Sequence, residues 1–326
     1  MQALSYATQI TAARETSTGV ALFDGVCRSI ERGRLNEGLD DLFNGLARIR
    51  DTMDSEAWRA FVDRARAERK LSDVLYQDPL TRRAFDKPRG YAGDAIMMDY
   101  AYGIHSAHEV FAQASDVGRV VYRYLQNAPA AQAVRNRREH IAQLIDEIAA
   151  ETPRPAVLAI ASGHLREAEL SAALACGAVG KFVALDADAE SLREVDEKYS
   201  SLGVETVHAS VRHILARKVR IGRFDCVYAA GLYDYLNDSV ATALTARMFE
   251  LTTPGGHVLI PNFAPCCRDR AYLEAFGAWD LIYRDEFDMS GLMAGIPAPE
   301  IASYDIYSDP SRSIVYLKIK KGTGQS

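Results

Sequence analysis

The sequence predicts an α/β chain: a Rossmann-like parallel sheet wound with helices fills its second half, and an all-helical region precedes it. Three observations carry this. Residues 157–163, Val-Leu-Ala-Ile-Ala-Ser-Gly, read as a short buried strand ending in a small-residue turn that feeds a helix over 164–176. About twenty residues on, 181–186 reads as the next parallel strand and ends in Asp186, which makes a βαβ unit suited to a nucleoside. After Pro155, strand and helix patterns alternate at the spacing of a sheet covered on both faces.

Seven strands are predicted, at 156–161, 181–186, 203–208, 224–230, 256–261, 279–284 and 313–320, with helices such as 188–199 and 238–251 between the first five. The last, long and alternating, suits an antiparallel strand inserted in the sheet. Upstream, Val20, Leu22, Phe23, Val26 and Ile30 recur at helical spacing, as do Leu39, Leu42, Phe43, Leu46 and Ile49. Asp78-Pro79 is a helix start, with a capping carboxylate before a proline at the first helical position. Ser106 to Glu109 has the form of a capping box. Asn127-Ala-Pro129 opens a long helix whose Val134, Ile141, Leu144, Ile145 and Ile148 form one stripe. Two prolines at 153 and 155 stop it, so the expected domains are 1–152, helical, and 153–326, the sheet.

Composition narrows the class. The chain has 326 residues, 48% hydrophobic and 25% charged, with net charge −6, which disfavours a general nucleic-acid binder. Its one dense basic run in this reading is Arg135-Asn-Arg-Arg138. Five irregularly spaced cysteines suit free thiols in a reducing compartment. Apolar runs fall short of the roughly 18 residues a membrane span needs, and the N-terminus lacks a signal-peptide pattern, so the cytoplasm is expected. His105 and His108 have a metal-compatible spacing without a companion acid-histidine set, and no metal is expected.

Four motifs then stand in order: Ala161-Ser-Gly163, Asp186, the strand and exit loop from Phe224 to Leu236, and Leu251-Thr-Thr-Pro-Gly-Gly256 turning into the fifth strand. This succession resembles the class I S-adenosylmethionine-dependent methyltransferases, over roughly Pro155 to Lys320. The resemblance implies a seven-stranded methyltransferase sheet and S-adenosylmethionine as cofactor. The chain departs from the usual first motif: Ala159 takes the acid's place, and Ala161 and Leu165 replace two glycines. Where the third strand usually leads to an adenine-binding acid, this chain has Val207-His-Ala-Ser210. These departures leave an inactive, cofactor-free domain as an alternative reading, and Asp186 stands against it.

Phe85-Asp-Lys-Pro-Arg-Gly-Tyr-Ala-Gly-Asp94, Ala133 to Arg138, Gly231 to Leu236, Pro261-Asn-Phe263 and Trp279 to Arg284 are similar to signatures of one bacterial methyltransferase family. Its members are described as making the methyl ester of 3-hydroxypalmitic acid, and there the Ala-Ser-Gly turn is normal. The resemblance implies transfer of a methyl group to a small molecule, foremost the carboxylate of a hydroxy fatty acid or related acid. N-methylation of a small amine or amino acid is the alternative, and a vestigial interaction protein is another. An NAD-dependent enzyme is disfavoured because the turn lacks GxGxxG.

Methyl transfer chiefly demands in-line alignment, and a carboxylate acceptor needs no base, whereas a hydroxyl or amine does. Ser162 and Gly163 are expected to face the methionine part of the cofactor, Asp186 the ribose, and Ala230 and Gly231 the methyl-bearing centre. Beyond the fourth strand, Tyr233, Asp234 and Tyr235 lie where ligands bind in open α/β sheets. Tyr233 is expected to contact substrate and Tyr235 to handle protons, with loop packing as the plain alternative. Asn262 is expected to orient a substrate carbonyl or to serve a turn. The 87–94 loop, with bend points at Gly90 and Gly93, reads as a lid that brings Tyr91 and Asp94 to the chemistry, or as a helix connector. Arg89 and Arg135 are the candidates to hold a carboxylate, and Met97, Met98, Phe263, Phe287, Leu292 and Met293 the candidate apolar lining. The sequence leaves the oligomeric state open.

Overall fold

The structure, a computed structural model, describes residues 19–324. The chain divides into two compact units: one runs up to Gln132 and takes in Arg268–Asp280, and the other comprises Ala133–Cys267 with the chain from Leu281 onward. The division thus falls at 132/133, inside a long helix, rather than at the proline stop. The helix ends where the prolines require, but the stripe that buries it, from Val134 to Ile148, belongs to the sheet unit.

The first unit is helical: α1 (19–31), α2 (Leu35–Thr52), α3 (Ser55–Ala67), α4 (Arg69–Leu75), α5 (Pro79–Asp86), α6 (Ala95–Tyr102), α7 (Ser106–Gln113), α8 (Asp116–Gln126), the first turn of α9 (Pro129–Glu151) and, later in the chain, α14 (Arg270–Ala275). Short polar side chains start several of these by accepting the orphan N–H groups of the first turn. Asp54 caps α3, Asp78 caps α5 through Thr81 N–H at 2.6 Å, Asp94 caps α6 and Ser115 caps α8. The expected box at Ser106 does not form. His105 takes the cap position with φ +51°, Ser106 becomes helical, and its Oγ is buried without a hydrogen-bond partner. The unit's interior is an aromatic-aliphatic core in which Phe43 stacks on Tyr272 at 4.3 Å and Trp58 on Phe61 at 5.4 Å.

The second unit is built on seven strands: β1 (Ala156–Ile160), β2 (Lys181–Asp186), β3 (Val204–His208), β4 (Phe224–Tyr228), β5 (Thr252–Phe263), β6 (Ile301–Ser308) and β7 (Ile314–Lys321), in the order β3-β2-β1-β4-β5-β7-β6. Strands β1 to β5 are parallel, and β7 lies antiparallel between β5 and β6, as its alternation predicts. Helices α10 (Ala172–Ala175), α11 (Ala189–Tyr199), α12 (Val211–Leu215), α13 (Asp238–Leu251) and α15 (Glu286–Gly291) complete the unit. Alternating residues of each strand point to opposite faces. One set (Leu158, Ile160, Val183, Leu185, Val227, Val258, Ile260) forms a continuous core with Leu244 and Met248 of α13 and Met289 of α15.

Three predicted elements differ. The strand expected at 279–284 is not one, because β5 already has β4 on one side and β7 on the other. The seventh strand is instead β6, whose residues 302–305 are all exposed, so an edge strand without a buried face gave no alternating apolar signal. The helix expected over 164–176 is broken into a 3₁₀ turn at Arg166–Glu169 and one turn of α10. Leu165 at φ +51° cannot be helical, and Ser171 starts the second piece by capping Leu174 N–H.

Candidate functional site at the carboxyl edge of the sheet

The turn after β1 is the most constrained backbone in the sheet unit. Ala161, Gly163 and Leu165 all have positive φ, at +52°, +53° and +51°. The two positions where alanine and leucine replace glycine therefore keep a glycine-like conformation, which disfavours a Cβ by about 1–2 kcal/mol per residue. Strain of this kind in a turn points to function. The turn is locked to β2: Ser162 N–H donates to Leu185 O at 3.1 Å, and Gly163 N–H to Asp186 Oδ2 at 2.8 Å. Asp188 N–H donates to Asp186 Oδ1, also at 2.8 Å. Two backbone donors thus fix the Asp186 carboxylate, half-buried at the strand end, with lone pairs left for further donors. Ser162 Oγ is buried with no hydrogen-bond partner, as expected of a polar group kept for a ligand.

Behind the turn lies a polar network. Arg166 is ion-paired with Glu194 at 2.8 Å, and its guanidinium also reaches the Tyr199 hydroxyl and His164 Nδ1. Arg138 of α9 donates to Arg166 O and pairs with Glu169 at 2.8 Å. His164 and Arg138 thus support the turn. Glu167 is buried and accepts a 2.6 Å bond from the Tyr228 hydroxyl at the end of β4. Burial pushes its carboxyl above the usual range despite that bond and the nearby Arg137 and Arg138 charges.

Beyond β4 the exit loop is held from below. Arg284, 1% exposed, donates to Tyr233 O (2.9 Å), Leu236 O (2.6 Å), Asn262 Oδ1 (2.9 Å) and Asp238 Oδ1 (2.7 Å). The Asn262 amide in turn donates to Phe263 O and Ile282 O. Asn262 is therefore a positioning residue, not the substrate contact expected of it: its oxygen and nitrogen are both spent on protein. The same correction applies to Tyr233, fully buried with its hydroxyl on Thr245 Oγ1 and Met248 Sδ. Asp234 is buried and accepts from Phe263 N–H at 2.7 Å, and burial pushes its carboxyl up to about 6. Tyr235, next in line, is exposed at 37%.

In the helical unit, Asp94 caps α6 through Met97 N–H and forms a two-pronged ion pair with Arg83, at 2.6 and 2.9 Å, while wholly buried. That use accounts for the carboxylate and removes it from the catalytic set. The 87–94 loop turns on Lys87 (φ +49°) and Gly90 (φ +89°), with Tyr91 exposed and Arg89 half-buried. Of the expected apolar lining, Met97, Phe263 and Leu292 are core residues, whereas Phe287 is 83% exposed.

The decisive comparison follows from this geometry. Residues 157–256 match a methyltransferase domain family. The match covers β1 through the turn of β5, and the methyl donor of such domains is S-adenosylmethionine. A solved structure described as a possible exported protein from Bordetella parapertussis is 13% identical, covers 77% of this chain and 96% of its own, and superposes with a TM-score of 0.54. The fold is the Rossmann-like methyltransferase fold. More distant similarities include the N-methyltransferase NodS from Bradyrhizobium japonicum WM9 in complex with S-adenosyl-L-homocysteine (12% identity, 68% of this chain, 99% of that one, TM-score 0.42). Magnesium protoporphyrin IX methyltransferase from Synechocystis PCC 6803 with bound SAM is another (13%, 59%, 83%, TM-score 0.42). A comparison with curated proteins returned no match. The residues present fit the nucleoside cofactor: a fixed carboxylate after β2, a turn held by three left-handed residues, and the orphaned Ser162 hydroxyl.

The turn makes a direct test. Gly163→Val puts a β-branched residue at φ +53°, which costs about 1–3 kcal/mol of stability, and S-adenosylhomocysteine binding falls with it. Ala161→Gly keeps the conformation and retains binding. Calorimetry on both variants checks this, and equal binding by Gly163→Val and the parent chain would refute the assigned role of the turn.

Sequence reasoning missed Arg137, Glu167 and Arg284. Arg137 was hidden in a basic run where Arg135 stood out equally, yet in the structure Arg135 is half-buried and Arg137 is 3% exposed. The periodicity of α9 held the signal, since 134, 137, 141, 144, 145 and 148 share one buried face.

Proposed function

We propose that the chain transfers the methyl group of S-adenosylmethionine to the oxygen of a small-molecule carboxylate, a hydroxy fatty acid or related acid, as a cytoplasmic enzyme that uses neither nucleic acid nor metal. The observation that carries the methyl-donor half is the Asp186 carboxylate, fixed by Gly163 and Asp188 N–H beside the left-handed turn. The acceptor half is supported by what the acids do. Asp94, wholly buried, has both oxygens on Arg83, which takes it out of use as a base. An acceptor that is already anionic needs none. Ala230 and Gly231 face the methyl-bearing centre, and Tyr235, exposed beyond β4, serves the acceptor. Arg135 holds its carboxylate. Arg135→Met is then expected to raise the acceptor KM and leave S-adenosylhomocysteine affinity unchanged.

Among the described residues no helix is long and apolar enough to cross a membrane, and no cluster of three His, Cys, Asp or Glu is arranged for a metal. Asp186→Ala is expected to weaken S-adenosylhomocysteine binding by about 1.5–3 kcal/mol, the scale of a hydrogen bond to a charged group. Calorimetry with no heat from either S-adenosylmethionine or S-adenosylhomocysteine would overturn the cofactor. Incubation with labelled S-adenosylmethionine and a panel of acids, alcohols and amines tests the acceptor. Label on nitrogen with no ester from any acid would replace the O-methylation reading by N-methylation.

A further inference from the structure

The sheet ends in an open edge. β6 is the outermost strand, with β7 on its inner side and no strand on its outer side among the described residues. The bonds flanking the β6–β7 ladder fix which backbone groups of β6 face outward. Asp309 N–H donates to Ile314 O at 2.9 Å, continuing the register of Ser308 with Val315. Hydrogen-bonded positions alternate along an antiparallel pair. Residues 303, 305 and 307 therefore bond β7, and Tyr304, Ile306 and Ser308 turn N–H and C=O to the open side. Ala264 N–H on Ser313 O, at 2.8 Å, agrees, since it sends the odd positions of β7 towards β5. The outward run is bounded by the register irregularity between Ile301 and Ser303 at one end and by Pro310, which has no N–H, at the other. Its midpoint is Ile306. Open edges are commonly blunted by lysine or proline, and residues 301–308 contain neither.

Tyr304, Ile306 and Ser308 share one face, on which Ile306 packs against the core that includes Met289 of α15. Ser308 Oγ lies 3.5 Å from Glu286 Oε1, which puts the first turn of α15 beside Ser308. That turn carries Phe287, 83% exposed, and Tyr304 is 52% exposed. These are the two most exposed large apolar side chains among the described residues of the sheet unit.

We propose that β6 pairs antiparallel with β6 of a second copy of this chain, about a two-fold axis through Ile306, and so joins two sheets into one. This centre uses all three outward positions: Ile306 pairs with itself and Tyr304 with the partner's Ser308, each pair exchanging two backbone bonds. A centre on Tyr304 would set Ile306 against Ala302 in the irregular stretch, and a centre on Ser308 would set it against Pro310. The same register brings Tyr304 opposite the partner's Ser308, beside which the partner's Phe287 stands, so the exposed aromatics of the two copies cover each other. Asp305, the one charged residue of the strand, falls opposite the partner's Tyr307 and keeps Lys318 of its own β7 as neighbour, so like charges do not face each other directly. The pairing does not depend on the methyl-transfer reading.

Analytical ultracentrifugation of the full chain tests it. The parent is expected to sediment as a dimer. In Tyr304→Pro the dimer dissociation constant is expected to rise about 100-fold or more, the scale of several lost hydrogen bonds. That change removes an N–H that β7 does not use, at an edge position where proline is tolerated, so the melting temperature is expected to hold. Phe287→Asp, at a side chain mostly in solvent, is expected to weaken the dimer about tenfold or more, and decides the matter if the proline variant fails to fold. Residue-resolved amide exchange is expected to slow at 304, 306 and 308 as protein concentration rises, and to stay unchanged at 305 and 307. A parent that remains monomeric up to about 0.1 mM would overturn the pairing. So would a dimer that survives both substitutions, or outward amides that exchange alike at low and high concentration.

Discussion

Replacing Arg284 by methionine is expected to destabilise the sheet unit by about 3–5 kcal/mol, the cost of leaving two carbonyls and an amide oxygen without their buried donor. The side chain is nearly inaccessible and ties four points of the ligand-side edge together: the carbonyls of Tyr233 and Leu236, the Asn262 amide and the Asp238 carboxylate at the start of α13. Methionine fills much of the volume but donates nothing, so two backbone carbonyls and Asn262 Oδ1 lose a donor. Asp238 is 87% exposed and finds water at little cost. The loss is therefore dominated by the carbonyls, and Arg284→Lys, with three donors on one atom, recovers part of it. The exit loop from Gly231 to Leu236 loses its anchor in the same event, so S-adenosylhomocysteine affinity falls together with stability. Urea unfolding followed by circular dichroism reads the first effect and calorimetry the second. A loss under about 1 kcal/mol would mean the network is solvated in solution.

Arg284 also shows how far the sequence could be read. The parallel core strands were legible because strands buried on both faces are continuous apolar runs bounded by turn residues, and β1, β2 and β4 fall within two residues of their expected ends. The antiparallel β7 was legible from its alternation. The 279–284 segment carries a strand-like pattern in Trp279, Leu281 and Tyr283, but pattern does not reveal whether a sheet edge is free. Here Arg284 N–H and Ile282 N–H bond singly to Phe263 O and Asp234 O, a tether instead of a ladder. β6 failed for the opposite reason, having an edge but no buried face. Among site residues, Asp186 and the turn could be named because strand ends and small residues leave a local trace. The roles of Asn262, Tyr233 and Asp94 could not, because each is set by a partner 11 to 22 residues away. A polar residue beside a site looks the same in sequence whether it faces ligand or protein.

The pH dependence of stability gives the second large effect. Asp78 caps α5 with one oxygen on Thr81 N–H, while Oδ1 is buried without a partner, and full burial pushes its carboxyl from 3.8 up to about 7. A carboxyl whose folded pKa lies above its unfolded one binds more protons in the folded state throughout that interval. Its stabilising effect is therefore complete near pH 4 and is lost as pH rises towards 7. The loss is roughly 3–5 kcal/mol for a shift of this size. Asp269, on Ala130 N–H, and Asp234 are each raised to about 6 by burial and act in the same direction over a narrower window. Two groups of histidine and acid oppose them. His140 and His257 are lowered by burial, so their contribution is lost as pH falls below 6.5, and Asp309, lowered by its hydrogen bonds to Ser311, Ser313 and Ile314, matters only below about 4. Because these terms overlap, the parent profile alone does not isolate Asp78, but a variant does. Asn serves an N-cap as well as Asp and carries no charge, so Asp78→Asn is expected to be more stable than the parent at pH 8 by a few kcal/mol. At pH 5, where Asp78 is protonated in the folded parent but still ionised in the unfolded chain, the gap has narrowed by more than half, and it closes only below about pH 4. Urea midpoints at both pH values decide it: a difference between parent and variant that stays constant from pH 5 to pH 8 would mean that Asp78 keeps an ordinary pKa and that water reaches Oδ1.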